Sequence, residues 1–302
     1  MIVSMWHKFT SAPYGGGNQF MLALKKELTR IGVTVMENVI ADSVDIYLLN
    51  SIHFDTNTFI QLKKDKKIKV IHRIDGTIYL SRSDMSFDKL CFDLNKILAN
   101  ITVIQSGWSF SEICKLGYRP VNPIIIPNAS DSTIFNLNTK SSFCSSKPKL
   151  ISTSWSDNML KGFEIYSWLD RNLDFNRYEY SFVGRSPVKF KNINIIPPKN
   201  SSDLANTLRQ YDIYITASKI DSCSNAVIEA MSCGLPCIYH DSSGHPELVG
   251  FGGIPFLKAE EIPDKINSVC DNYESFRRLI CAPSISDIAK RYLDVFKKAK
   301  SL

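Results

Sequence analysis

Residues 212–250 read DIYITASKIDSCSNAVIEAMSCGLPCIYHDSSGHPELVG, and they decide the fold. The β-branched run at 212–217 predicts a buried strand, and PCIYH at 236–240 predicts the next. Between them a polar loop, 219–224, gives way to a helix capped by Ser222 or Ser224. That helix stops at Cys233, with Gly234 placed for the left-handed conformation and Pro236 beyond it. Strand, loop, helix and strand in this order form a βαβ unit of a parallel sheet. A helix that starts just past a strand's carboxyl end presents free N–H groups and a positive dipole end there, which attracts phosphate. Glu229 sits among Ala226, Val227, Ile228, Ala230 and Met231. Burying a carboxylate unpaired is costly. It is therefore either an exposed helical glutamate or a group that hydrogen-bonds something specific, and a ribose diol offers two donors.

Outward from this segment the same rhythm recurs. Strands are expected at 1–6, 44–49, 69–74, 101–105 and 123–126, then at 149–154, 178–183 and 193–196, with amphipathic stretches between them. Phe20, Leu24, Leu28 and Ile31 recur at helical spacing after Gly15, Gly16 and Gly17, and Gly32 stops that helix. The rhythm lapses at 136–148 into NLNTKSSFCSSKP, which reads as a linker. The expected fold is α/β, two Rossmann-like doubly wound parallel-sheet domains facing across a cleft that takes the ligands. The domains are 1–136 and 149–283, with 137–148 as linker. A closing helix, 284–302, packs on a core, in one arrangement by returning to the first domain; a membrane-surface helix is the alternative.

Within this frame, Asp221, seven residues, then Glu229-Ala230-Met231-Ser232-Cys233-Gly234-Leu235-Pro236 resembles the donor-binding signature of family-four retaining glycosyltransferases of GT-B fold (glycosyl transferases group 1). The resemblance extends to the glycine loop at 15–17, to Ser106-Gly107-Trp108, and to Ile124-Ile125-Ile126-Pro127-Asn128 with Asp131 and Phe135. It also takes in Lys161-Gly162, Val183-Gly184, and Ser243-Gly244 with Glu247. It implies a hexosyltransferase that uses a nucleotide-diphospho-sugar donor, retains anomeric configuration and needs no metal or other cofactor. In that scheme Lys161 neutralises the diphosphate and the backbone amides of Ser222, Cys223 and Ser224, with Asn225 next in line, hold the terminal phosphate. Glu229 binds the ribose and Asp221 meets hydroxyls of the transferred sugar. Gly16 and Gly17 allow close approach to the donor, and Gly184 and Arg185 lie near the base. The family usually has Glu where Asp221 stands, and many members have Arg where Ser156 stands. Arg185 and Arg73 are candidates to replace that missing cation, with a structural role open for both.

On the acceptor side, KVIHRIDG at 69–76 ends a strand, so His72, Arg73 and Asp75 are candidates to face substrate. The resemblance makes His72 the histidine near the reacting sugar and Asp75 a base or acceptor anchor; a satisfied histidine beneath the sheet is the other account of His72. His53 is a second histidine candidate, and Trp6, His7 and Tyr14 offer a stacking surface, with core packing the alternative for Trp6. The implied acceptor is a hydroxyl of a glycan or lipid-linked saccharide. A non-catalytic nucleotide- or sugar-binding module that keeps the architecture is the other functional reading.

Composition narrows the classes. The 302 residues are 44% hydrophobic and 22% charged, which excludes a disordered tail. The net charge of +6 carries no long basic run, so a nucleic-acid partner is not expected, whereas an anionic small molecule or weak peripheral contact with an anionic membrane fits. Eight scattered cysteines without zinc spacing read as free thiols. With no signal-like start and no long apolar run, the expected location is cytoplasmic. G-x-G-x-x-G spacing is absent at Gly15–Gly17, where the residue three beyond Gly17 is Phe20, so a nicotinamide enzyme fits poorly.

Overall fold

The computed structural model describes residues 1–10, 15–143 and 146–302, without the side chains of Ser81 and Arg82. It groups into two compact units: Met1–Thr10, Gly17–Ala129 and Ser284–Leu302 in the first, Ser11–Gly16 and Ser130–Pro283 in the second.

The strands of the first unit are β1 (Ile2–Trp6), β2 (Thr34–Glu37), β3 (Ile46–Asn50), β4 (Val70–Ile74), β5 (Ile101–Ile104) and β6 (Pro123–Ile125). Its helices are α1 (Gly16–Arg30), α2 (Thr56–Asp65), α3 (Tyr79–Arg82), α4 (Met85–Leu98) and α5 (Gly107–Lys115). The sheet is parallel throughout, in the order β2-β1-β3-β4-β5-β6. β3 and β4 are buried at every position, as expected of parallel strands covered on both faces. Ser106 caps α5 by accepting from the Ser109 N–H at 3.1 Å.

The strands of the second unit are β7 (Lys149–Ser154), β8 (Glu179–Gly184), β9 (Asn194–Ile196), β10 (Ile213–Thr216), β11 (Cys237–His240) and β12 (Gly253–Phe256). Its helices are α6 (Phe163–Asn172), α7 (Ser201–Leu208), α8 (Asn225–Ser232), α9 (His245–Val249), α10 (Ile262–Asp271) and α11 (Tyr273–Arg278). This sheet runs β12-β11-β10-β7-β8-β9, again parallel. Gly234 takes φ +80° just beyond α8, the left-handed stop its position predicts.

The last helix, α12 (Ile285–Ser301), packs in the first unit. Ile288, Tyr292 and Phe296 are buried in one cluster with Phe20, Leu24 and Leu28 of α1, each worth about 1.5–3 kcal/mol of apolar burial. Lys300 pairs with Asp45 at 2.7 Å. The polar stretch read as a linker groups with the second unit: Lys140 donates to the Tyr211 carbonyl at 2.5 Å, and Phe143 stacks on Tyr273 at 4.1 Å. β2 and β12 were not expected from the sequence. Both are edge strands, one half-exposed along its length and one carrying Gly253 and Pro255, so neither shows a continuous apolar run. Among the described residues, no helix is long and apolar enough to cross a membrane.

Candidate active site

In a doubly wound sheet the strand order reverses at one point, and the crevice outside the carboxyl ends there receives ligands. In the second unit that point lies between β7 and β10, because β8 and β9 go one way from β7 while β11 and β12 go the other from β10. The loops that leave these two strands carry Lys161 and Asp221. Lys161 Nζ meets Asp221 Oδ2 at 2.9 Å. Local backbone demands fix this approach. Gly162 sits at φ +84°, where an added Cβ would overlap the Ala217 carbonyl, and the Lys219 N–H donates to the Leu160 carbonyl at 3.0 Å. Gly184 is similar: at φ +129° a Cβ there would overlap the Ser154 carbonyl, to which Arg185 N–H donates at 2.9 Å. Desolvation works against the Asp221 charge. Lys161 and His245 nevertheless hold the carboxyl below its usual range, together with hydrogen bonds from Lys161 and the Cys223 N–H.

α8 starts directly after this loop. Its N-cap, Ser224, makes no side-chain capping bond, which leaves the first-turn N–H groups without that partner. Of the three amides expected at phosphate, that of Cys223 is engaged by the Asp221 carboxylate, because the turn folds the carboxylate back on its own backbone. The Cys223 side chain is buried in the core of the second unit. Gly16 groups with this unit, and a Cβ on it would come within 2.5 Å of Asn225 Nδ2, so glycine is needed there; Gly17 has open space.

Glu229 lies one helical face further along. It is half-buried, and its carboxylate has no hydrogen bond or ion pair among the described residues. Burial pushes it up to about 8. The exposed-glutamate account therefore does not hold: the group is desolvated without a partner.

In the first unit the corresponding crevice falls between β1 and β3; His7 follows β1, and Asn50 is the last residue of β3. A buried polar cluster gathers at the carboxyl ends of these strands. Asp75 accepts from Asn50 Nδ2 at 2.8 Å, from Gln105 Nε2 at 2.8 Å, from Ser51 Oγ at 3.2 Å and from Arg73. Desolvation opposes its charge, but Arg73, with the donors Asn50 and Ser51, holds it below the usual carboxylate range. A carboxyl held ionised in this way is a weak base.

Two sequence expectations, for His72 and Arg73, change here. His72 does not face an open surface. It is 1% exposed, its Nε2 lies 2.6 Å from the Ser51 carbonyl, and Asn95 Nδ2 lies 3.1 Å from its Nδ1. Both nitrogens are occupied, and burial pushes the ring down to about 4, so it is the satisfied histidine beneath the sheet. Arg73 is fully buried, held by Asn50, Asp75 and Asn128 with Phe20 4.8 Å away, and cannot replace a missing phosphate cation. Trp6 is a packing residue, edge-on to Phe59 at 5.0 Å. Arg185 is exposed beside Trp155, and among the described residues it forms no ion pair with a carboxylate. His7 is the histidine the strand ends bring into the cluster: Nδ1 lies 3.2 Å from Asn50 Nδ2, and His53 lies 5.2 Å from it ring to ring. Tyr14 lies outside the described residues.

Sequence reading also missed His245, which is fully buried beside the Asp221 loop. A histidine between the glycine and proline of 244–246 was the available signal. Among the described residues, no group of three or more His, Cys, Asp or Glu side chains is arranged to hold a metal ion.

Residues 190–282 match the family model for glycosyl transferases group 1. No curated protein matches the chain significantly. Among solved structures, the chain is similar to a sucrose-phosphate synthase from Thermosynechococcus elongatus, with TM-score 0.75 and 13% identity over 98% of each chain. It is similar to a glycosyltransferase from Rickettsia africae, with TM-score 0.71 and 15% identity over 99% of this chain and 98% of that one. It is also similar to Anabaena HepE in complex with UDP-glucose, with TM-score 0.68 and 12% identity over 99% and 98%. At these identities the likeness establishes the fold, which is GT-B.

Proposed function

We propose that the chain is a glycosyltransferase that moves a sugar from a nucleotide-diphospho-sugar donor to a hydroxyl of a glycan or lipid-linked saccharide, with retention at the anomeric carbon. The observation that carries this reading is the grouping at the strand-order reversal of the second unit: Lys161 against Asp221, and Glu229 desolvated without a partner. A nucleotide supplies what each lacks. Its ribose hydroxyls donate to Glu229, while its diphosphate accepts from Lys161 and from the N-terminus of α8. Asp221, released from Lys161, is placed for hydroxyls of the transferred sugar. Bond cleavage loads negative charge on the leaving diphosphate, and the ammonium and helix end stabilise that charge without calling on a metal. On the acceptor side, Asp75 is proposed to anchor the incoming hydroxyl. Part of the chain, residues 190–282, matches a glycosyltransferase family model, which supports the reading.

The test is release of free nucleoside diphosphate from a panel of nucleotide sugars. UDP-glucose comes first, because the similar HepE was crystallised with it. Turnover is expected with at least one donor, reduced about 10²–10³-fold in Lys161→Ala. Binding without turnover on any acceptor, or equal rates in the variant, contradicts the proposal.

A further inference from the structure

We propose that His245 is a positioning residue of the donor site, taking over the charge of Asp221 by binding a proton when the donor draws Lys161 away. The inference rests on the donor reading above. Among the described residues the ion pair of Asp221 is with Lys161, at 2.9 Å, and His245 adds a smaller attraction. If Lys161 moves onto a diphosphate, the carboxylate, which is 18% exposed, loses its counter-charge in a poorly solvated place. The turn that carries His245 is fastened to the same loop. Gly244 N–H donates to the Asp221 carbonyl at 3.0 Å, and a Cβ at Gly244 would overlap the Ser222 carbonyl. His245 itself is fully buried, with Nδ1 3.4 Å from Ser243 Oγ and Nε2 without a hydrogen-bond partner among the described residues. A buried ring nitrogen left without a partner is unusual, and it marks a group whose proton count is free to change.

The surrounding charges set the direction. Burial lowers the His245 pKa most. Asp221 raises it, Lys161 lowers it, the His240 backbone raises it and the His240 ring lowers it. These are the strongest influences on the ring. Tyr239 of β11 lies 6.5 Å away ring to ring, Glu247 stands in the first turn of the same helix, and Glu229 is the acidic residue of the packed helix α8. Donor binding cancels the Lys161 contribution and adds a diphosphate, and both changes favour the imidazolium. One proton then passes from solvent to the imidazole, with no other bond made or broken.

Calorimetric titration with UDP-glucose, ADP-glucose and GDP-mannose, at pH 6.5 in buffers of different ionisation enthalpy, counts that proton. These diphosphodiesters exchange no proton of their own near neutral pH. Any proton that Glu229 releases on binding ribose is common to both proteins compared, so the quantity read is native minus His245→Gln. The expected difference is an uptake of roughly 0.3–1 proton per donor bound. A merely structural histidine would change affinity and leave this difference at zero. If the variant does not fold, the imidazole 15N shifts of the native protein give the same answer: one histidine passes from neutral to charged on adding donor. Donor binding with no such difference, or no such shift, overturns this inference alone. Absence of binding by every donor overturns the donor reading and this inference with it.

Discussion

Glu229 shows how one carboxylate can be bad for the free protein and good for its ligand. Its folded pKa, about 8, stands above its unfolded value, so the folded state holds the extra proton between roughly pH 4.5 and 8. Stability contributed by that proton is present at low pH and lost as pH rises through 8. Glu229→Gln is therefore expected to raise the melting temperature by about 2–4 °C at pH 8, roughly 1 kcal/mol, and by less at pH 5. The same variant should weaken nucleotide binding about tenfold, because an amide accepts fewer hydroxyl protons than a carboxylate. Scanning calorimetry and a titration with donor check the two halves. A melting temperature that falls at pH 8 would show that Glu229 has a structural partner. In sequence this residue could be an exposed helical glutamate or a ligand group, since periodicity does not report solvation. Burial without a partner removes the exposed glutamate, and the ligand role belongs to the proposal.

At the scale of elements, the donor site depends on turns rather than on helices. Gly162 holds Lys161 toward Asp221 only because its left-handed backbone lets the chain pass beneath the Ala217 carbonyl. Gly162→Ala should cost about 1–3 kcal/mol and lose donor affinity together. Gly17→Ala, with open space around it, should change stability by no more than about 0.5 kcal/mol. Thermal denaturation with and without nucleotide sugar separates the two glycines, and equal losses would contradict the account. The central strands were readable because buried parallel strands are rich in apolar and β-branched residues, as IYLLN is and as VIHRI is apart from His72 and Arg73. The edge strands β2 and β12 were not readable, since half-exposed backbone needs no such enrichment. The site split the same way. Lys161, Asp221 and Glu229 were legible through the resemblance of their motifs to a known family, whereas His7 joins Asn50 and Asp75 only through the sheet order, and His72 turns out to face inward for the same reason.

Across the whole molecule the buried histidines and Glu229 move stability in opposite directions with pH. In the first unit, burial pushes His7 and His72 down to about 4, below their unfolded value of about 6.5. Their folded forms stay neutral, so the stability they lend is complete above pH 6.5 and drains away as pH falls toward 4. In the second unit, Glu229 loses stability as pH rises toward 8. The melting temperature is expected to peak near pH 6–6.5, and His72→Gln should flatten the acid side of that curve. A steady rise up to pH 8.5 in the native protein would contradict this balance. The closing helix binds the end of the chain to its beginning: Phe296→Ala should cost about 3–5 kcal/mol, measured by denaturant unfolding.

The account stands on the second unit gripping a nucleotide at the reversal of its strand order. Its most direct test is a crystal structure with a nucleotide sugar bound. The prediction is Glu229 oxygens about 2.6–3.0 Å from the ribose hydroxyls, with the Lys161 ammonium on the diphosphate and parted from Asp221. A bound nucleotide far from both side chains, with Lys161 still paired to Asp221, would contradict it.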